Sequence, residues 1–362
     1  MKSRYLDIYE KTKENICTGV YPVGEKLPSK RVLAEREGVS VITITHAYEL
    51  LAEEGYIISK EKSGYFVSYN EANSFSDSTI NKSSGYSSRK DLSAISHIAD
   101  NNQQNTFSFS IYAKTARRVL SDYQQEIMCK SPGYGSEMLR AAISDYLIRY
   151  RDMYAKADNI IIGSGAEYLY GLIVQALGRD IIYGIESPSY HKIAQVYEAG
   201  GVRLEMLKLG IDGIDSSELR KTTANVLHIT PYRSFPSGVT ATINKKREYL
   251  RWSRENGAII IEDDFESEFT PSRKPEETLY SMDDEGRVIY VNTFTCTIGP
   301  SIRIAYMVIP DAMMARFDEK IGFYSCPVPM LDQLILGELI ENGDFVRHIN
   351  RVRRNNRKKK GM

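Results

Sequence analysis

The chain has few of the residues that build metal centres or disulfide frameworks. Its 362 residues include only four cysteines, Cys17, Cys129, Cys296 and Cys326, which lie far apart and form no C-x-x-C pair. This spacing argues against a zinc site and against disulfides, so we expect reduced thiols. The histidines after the first 68 residues also lack metal-ligand spacing and triad partners, and we expect them to be structural: His97, His191, His228 and His348.

An excess of one charge and long apolar runs are missing as well. Lys and Arg number 47, Asp and Glu number 47, and the formal net charge is zero. No overall basic field therefore favours nucleic acid or a membrane surface. The polar N-terminus is not typical of a signal peptide, and no apolar run reaches membrane-spanning length. We expect a cytoplasmic protein, long enough for two or three domains.

The first 68 residues show a pattern of three helices followed by a hairpin. Ser29 can cap the second helix and Ser40 the third. Residues 56–67, Y-I-I-S-K-E-K-S-G-Y-F-V, are typical of two short strands around a Lys-Ser-Gly turn. One face of the third helix is apolar, with Ile44, Ala47, Tyr48 and Leu51 at helical spacing. The pattern predicts a winged helix-turn-helix head over residues 1–68.

The head contains an ordered set of motifs: P-S-x-R-x-L-A, G-V-S-x-x-T, A-Y-x-L, E-G-Y and S-G-Y-F-V. In this order they resemble the GntR family of DNA-binding regulators. The resemblance implies double-stranded DNA as partner, with Arg31 on a phosphate or base edge. It also implies that the major groove or its backbone is contacted by Ser40, Thr43 and Thr45. The wing that enters the minor groove would consist of Lys62, Ser63 and Gly64. The alternative for Thr43 and Thr45, that they only satisfy local backbone groups, stays open.

One departure from the family concerns the residue after Ser40. Val41 stands where the family usually has arginine. Because an arginine-to-guanine contact contributes roughly 1–3 kcal/mol of discrimination, its loss predicts a weaker or differently specified operator.

The remaining chain divides into a polar segment and an alternating one. Residues 69–105 are rich in Ser, Asn, Asp and Gln, which predicts a flexible linker; a short helix around Leu92–Ile98 stays open. Residues 106–345 alternate apolar runs with helical patterns, which predicts an α/β three-layer domain whose sheet is covered on both faces. The predicted strands are 159–162, 181–185, 202–207, 224–229, 258–261, 288–291 and 304–309.

Three stretches in this region carry recognisable motifs. They are T-P-Y-R-S-F-P-S-G at 230–238, I-I-E-D-D-F-E-S-E-F at 260–269 and V-N-T-F-T-C-T-I-G-P-S-I-R-I-A-Y at 291–306. They resemble the large domain of fold-type I aminotransferases, which bind pyridoxal phosphate (PLP). Together with the winged helix, they make the chain resemble the MocR-type regulators of the GntR superfamily. That resemblance implies a homodimer and a small-molecule effector, PLP or an amino acid-like compound.

The resemblance also assigns residues to the cofactor. Asp263 would pair with the pyridine nitrogen and Arg303 with the phosphate. Thr293 and Thr295 could donate hydrogen bonds from their hydroxyls to the same phosphate. Gly165 and Ala166 could donate hydrogen bonds to it from their backbone amides, at the N-terminus of a helix. Tyr190 matches the aromatic residue that stacks on the ring. The alternative, that Tyr190 is an ordinary partly buried tyrosine, stays open.

Several positions depart from the aminotransferase pattern. Cys296 stands where the family has the lysine that forms the Schiff base with PLP, and Phe265 replaces a tyrosine. Arg233 and Ser234 replace a His-Gln pair. We therefore predict PLP bound non-covalently at most, no catalytic residue and no enzyme activity. The carboxylates around Asp263 could suggest a metal site, but alternate strand residues point opposite ways, so we expect none.

The basic stretch at the end, 346–362, resembles a helix that in relatives leads into a small domain. In aminotransferases that domain carries the arginine for the substrate carboxylate, and the sequence predicts a tail truncated relative to the family. Three interpretations remain: a DNA-binding regulator with a degenerate dimerisation and effector domain, a working PLP-dependent aminotransferase, or a truncated, non-functional regulator.

Overall fold

The computed structural model describes residues 4–60, 63–68, 107–272 and 276–359. The chain divides into two compact units, residues 1–92 and 93–362. The linker predicted at 69–105 lies outside the described residues, as do Lys62 and His97. The predicted domain limits therefore stay predictions.

The first unit is a winged helix-turn-helix. Ser29 Oγ accepts from the Val32 amide at 3.3 Å and Ser40 Oγ from the Thr43 amide at 3.1 Å, so both predicted caps form. The described elements are α1 Arg4–Cys17, α2 Lys30–Glu37, α3 Val41–Glu53, and the antiparallel strands β1 Ile57–Lys60 and β2 Gly64–Val67. The apolar face of α3 is fully buried against the other helices and the hairpin, as its periodicity predicts.

The second unit is built on a seven-stranded mixed sheet in the order β3-β9-β8-β7-β6-β4-β5. Strand β9 runs antiparallel to β3 and β8, and the other neighbouring pairs are parallel. The strands are β3 Ile160–Gly163, β4 Ile182–Ser187, β5 Arg203–Lys208, β6 Val226–Ile229, β7 Ile259–Asp263, β8 Val288–Thr293 and β9 Ala305–Val308. All seven predicted strands form, with ends displaced by at most two residues.

Helices cover both faces of this sheet. Along β3, Ile160 and Ile162 pack into one buried cluster and Ile161 into another, since successive side chains of a strand alternate between faces. The described helices are α4 Phe109–Asp122, α5 Glu137–Arg151, α6 Ala166–Leu177, α7 His191–Ala199, α8 Ser216–Lys221, α9 Ile243–Asn256, α10 Leu279–Met282, α11 Asp311–Ile321, α12 Met330–Glu341 and α13 Asp344–Lys359. The predicted three-layer α/β architecture is confirmed.

Helix α13 packs against the rest of the second unit. Phe345 and Ile349 are buried in the core cluster that also contains residues of α5 and α12, and Val352 is fully buried. Arg353 Nε donates to the Glu268 carbonyl oxygen at 2.6 Å. The described part of the predicted basic tail is therefore docked on the segment that follows β7. None of the helices formed by the described residues combines the length and apolarity needed to cross a bilayer.

Candidate ligand pocket and DNA-recognition helix

A cavity of about 320 Å³ lies at the carboxyl ends of β7 and β8. Small-molecule sites commonly enclose about 300–1,000 Å³ and occur outside the strand ends of α/β sheets. The lining residues are Ala166, Glu167, Tyr170, Tyr190, Ile193, Thr230, Phe235, Asp263, Phe265, Thr293, Thr295, Cys296 and Arg303. Six of the seven residues assigned to a cofactor from the sequence thus line one pocket, and the seventh, Gly165, lies against Arg303.

Asp263, the last residue of β7, is buried, hydrogen-bonded by one side chain and approached by a second. Tyr170 on α6 donates its hydroxyl to Asp263 Oδ2 at 2.5 Å. His228 on β6 places Nε2 at 3.5 Å from the same oxygen, and its Nδ1 lies 2.7 Å from the Tyr197 hydroxyl. Burial, together with the Asp263 charge, raises the pKa of Tyr170 well above its usual value. The phenol therefore keeps its proton and fixes the carboxylate.

Tyr170 and His228 are the positioning residues that the sequence analysis missed. It gave Tyr170 no role and took His228 as structural. Tyr170 lies one helical turn after Ala166, so helical spacing from the predicted anion-binding end of α6 could have placed it near the pocket. The pairing of His228 with Asp263 depends on strand order, which spacing along the chain does not give.

The opposite end of the pocket is basic and tightly built around a glycine. Gly165 has a φ of +90°, and a Cβ there would lie 2.6 Å from Arg303 Nη2, so the guanidinium can sit against the backbone only because this residue is glycine. Helix α6 begins at Ala166, and the amides of a helix N-terminus favour an anion. Thr293 Oγ1 and Thr295 Oγ1 lie 2.9 Å apart on the same wall.

A carboxylate also stands at this end. Glu167 accepts from Arg303 Nη2 at 3.0 Å and from Lys192 Nζ at 2.8 Å. The hydrogen bond from Lys192 is the largest contribution that lowers the pKa of Glu167. Glu167 is therefore charged at neutral pH, and the three side chains together keep one net positive charge.

Cys296 and Phe265 occupy the pocket wall where the aminotransferase pattern has lysine and tyrosine. The Cys296 side chain is open to solvent, but protein atoms packed around its sulfur desolvate the thiolate. That desolvation, with the nearby Glu266, Glu268 and Asp263 carboxylates, raises the pKa of the Cys296 thiol to about 11. The thiol is thus protonated at neutral pH, and no lysine is among the lining residues found within the described chain.

The acidic residues that flank Asp263 are buried away from the pocket. Glu262 accepts from the Leu279 and Tyr280 amides at the start of α10, at 2.8 and 2.9 Å. Burial and the Asp264 charge raise the pKa of Glu262 to about 7. Asp264 Oδ2 accepts from Arg151 Nη2 at 2.7 Å. Within the described residues, no group of His, Cys, Asp or Glu has an arrangement that could hold a metal ion.

Arg151 is the cation that balances the buried acidic segment. It is 2% exposed, and its Nη1 lies 3.2 Å from Glu268 Oε1. Burial alone would lower its pKa, but Tyr290, Asp264 and Glu268 hold that pKa well above the usual range. Because Arg151 closes α5, it ties that helix to the segment that carries the pocket carboxylate.

The structure describes all but one of the head residues that the sequence assigns to DNA contact. Arg31 is exposed in the first turn of α2. Thr43 Oγ1 lies 2.9 Å from Ser40 Oγ, and Thr45 Oγ1 donates to the Val41 carbonyl at 2.9 Å. Thr45 thus makes the local backbone hydrogen bond that the sequence left open, whereas the Thr43 hydroxyl pairs with a side chain. The groove contacts of both threonines stay predictions. Ser63 and Gly64 lie at the hairpin turn, and Lys62 is outside the described residues.

A winged helix joined to a sheet of the fold-type I class defines a helix-turn-helix regulator that carries an aminotransferase-like unit. Residues 4–67 match the family described as bacterial regulatory proteins, gntR family. YdeL of Bacillus subtilis, an uncharacterised HTH-type transcriptional regulator, is 33% identical over 99% of this chain and 78% of its own length. The probable rhizopine catabolism regulatory protein MocR of Rhizobium meliloti is 26% identical over 97% of this chain and 74% of its own. The chain belongs to this MocR-type family of HTH-type transcriptional regulators.

The second unit also resembles solved aminotransferases. The α-aminoadipate aminotransferase LysN of Thermus thermophilus, complexed with N-(5′-phosphopyridoxyl)-L-leucine, is 25% identical with a TM-score of 0.61. The match covers 70% of this chain and 65% of that chain. This likeness establishes the aminotransferase fold of the second unit.

Proposed function

We propose that this regulator binds operator DNA in the cytoplasm as a homodimer and that its second unit holds a small-molecule effector without a covalent bond. The observation that carries the proposal is the pocket, which has a buried carboxylate at one end and, at the other, Arg303 seated against Gly165 at the start of α6. PLP is the ligand whose charges match both ends, and an amino acid-like effector is the related alternative. A homodimer would present paired heads to two half-sites.

The residues present fit PLP. Asp263 would accept from a protonated pyridine nitrogen, with Tyr170 and His228 holding its orientation. Arg303, the amides at Gly165 and Ala166 and the Thr293 and Thr295 hydroxyls would hold the phosphate. Tyr190 and Ile193 would cover the ring. When bound, PLP would supply an electron-withdrawing pyridinium ring.

Transaminase activity is not part of this proposal. A transaminase needs an amine that can exchange its bond to the cofactor with the substrate amine. The lining residues offer the protonated Cys296 thiol at the corresponding wall. We therefore assign no catalytic residue and treat the pocket as a binding site.

Replacing Asp263 by Asn should weaken PLP binding by about tenfold or more, because a charge-assisted hydrogen bond worth about 1.5–3 kcal/mol is lost. Isothermal titration calorimetry on the purified chain measures this loss. Glu266→Gln is the matched control, since that carboxylate pairs with Arg233 at 3.1 Å and is not among the lining residues. Equal affinities for wild type and Asp263→Asn would reject Asp263 as the ring-nitrogen partner.

Replacing Arg31 by Ala should weaken operator binding by roughly 1–3 kcal/mol if the side chain reaches a base. Fluorescence anisotropy with duplexes from the protein's own promoter, at several salt concentrations, measures affinity and its salt dependence. Arg36→Ala, in the last turn of the same helix, removes the same charge and is the control. If the two variants bind alike, the role proposed for Arg31 is wrong.

A further inference from the structure

The first turn of α3, the recognition helix that the winged-helix resemblance implies, presents an apolar surface to solvent. Ile42 is 70% exposed and Val41 is 43% exposed. Successive helix residues are about 100° apart, so Ile42 lies roughly opposite the face on which Ile44 and Tyr48 are fully buried. The contacts of the head therefore do not cover Ile42.

The polar groups of the same turn are already engaged. The Ser40 hydroxyl accepts from the Thr43 amide and lies 2.9 Å from the Thr43 hydroxyl. The Thr45 hydroxyl donates to the Val41 carbonyl. The surface that this turn offers is consequently dominated by hydrocarbon side chains.

The N-terminal turn of a recognition helix is the part that approaches base edges in the major groove. The only apolar group on those edges is the 5-methyl group of thymine. An exposed isoleucine beside an exposed valine cannot accept from cytosine or donate to guanine through its side chain. Its favourable contact is with the thymine methyl, which excludes water from both partners.

We propose that Ile42, with Val41 beside it, selects thymine in each operator half-site through the 5-methyl group. This inference rests on the proposed DNA binding of the head and adds the base that the helix reads. It assigns specificity to two residues that carry no hydrogen-bonding side chain. The departure at Val41 thus changes the preferred base rather than only weakening the operator.

The test begins with selection of duplexes from a random-sequence library by the full chain. In the enriched duplex, each thymine is then replaced singly by deoxyuracil, which removes the methyl group and keeps the hydrogen-bonding edge. At one or two positions per half-site, affinity should fall about fourfold, the ratio expected for one methyl-sized group returned to water. For one of these positions, the Ile42→Ala variant should bind the duplex that carries thymine and the duplex that carries deoxyuracil with equal affinity.

The variants distinguish the possible outcomes. Val41→Ala should reduce the deoxyuracil effect at the same or an adjacent position, whereas Ile58→Ala, which removes another exposed isoleucine from β1, should leave it unchanged. Because Ile42 is exposed, its replacement should leave the fold intact.

An enriched sequence with no deoxyuracil-sensitive position, or with sensitivity that Ile42→Ala retains, would overturn the inference while leaving DNA binding in place. Failure to enrich any sequence would overturn both, and a change of oligomeric state in Ile42→Ala with unchanged sensitivity would show that the patch is a protein contact.

Discussion

Replacing Arg151 by Leu should lower the free energy of unfolding of the second unit by about 3–5 kcal/mol. The substitution leaves the Asp264 and Glu268 carboxylates buried without their cation, and each lies within 3.2 Å of an Arg151 nitrogen in the wild type. The single tryptophan, Trp252, is buried in the second unit and reports its unfolding by fluorescence. Urea denaturation of the full chain measures the loss.

Arg149→Leu provides the control on the same helix. Arg149 pairs with Asp145 at 3.0 Å, but both side chains are more than 60% exposed. An exposed pair of this kind contributes about 0.3–0.5 kcal/mol, so the control should unfold almost as the wild type does. Similar losses for the two variants would mean that the buried network does not hold this unit together.

Replacing Cys296 by Lys should allow PLP, which we expect the wild type to bind non-covalently, to form a bond to the chain that borohydride can trap. The wall residue would then offer an amine beside the ring site, where the wild type offers a thiol. After incubation with PLP and reduction, intact mass should show one added ligand for Cys296→Lys and none for the wild type. Before reduction, Cys296→Lys with PLP should show a visible absorption band that corresponds to this adduct.

Cys129→Lys is the matched control, because Cys129 is an exposed cysteine of the same unit and is not among the lining residues. It should acquire no saturable adduct. An adduct on the wild type that maps to Lys192, the lysine paired with Glu167, would contradict the proposed non-covalent site. An unmodified Cys296→Lys that still binds PLP would show that position 296 does not approach the reactive carbon.

Predicting the strands from the sequence succeeded because most contain a short apolar run, such as I-I-I at the start of β7, bounded by helical patterns. The pocket residues followed from resemblance, since the motifs around Asp263 and Arg303 have fixed spacing. The supporting contacts could not be predicted in the same way. Tyr170 reaches Asp263 across 93 residues and Arg151 reaches Asp264 across 113, and no periodicity encodes such pairings.

In the head, the sequence located the caps and the buried face of α3 but did not decide the roles of Thr43 and Thr45. Both a groove contact and a local hydrogen bond suit a threonine in the first turns of a helix. The structure adds the local hydrogen bonds, between the Thr43 and Ser40 hydroxyls and from the Thr45 hydroxyl to the Val41 carbonyl, and the groove contacts stay predictions. The exposed Ile42 became informative only when its burial was known.

Three consecutive carboxylates fasten the end of β7 to three different helices. Glu262 holds the start of α10, Asp263 holds α6 through Tyr170, and Asp264 holds α5 through Arg151. Detaching this strand end would break buried polar contacts to all three helices at once, so local fraying is costly there. We therefore expect its amide hydrogens to exchange with solvent mainly through cooperative opening of the unit. A compound that binds only the folded pocket should then slow exchange throughout the sheet, and not merely at the residues that it touches.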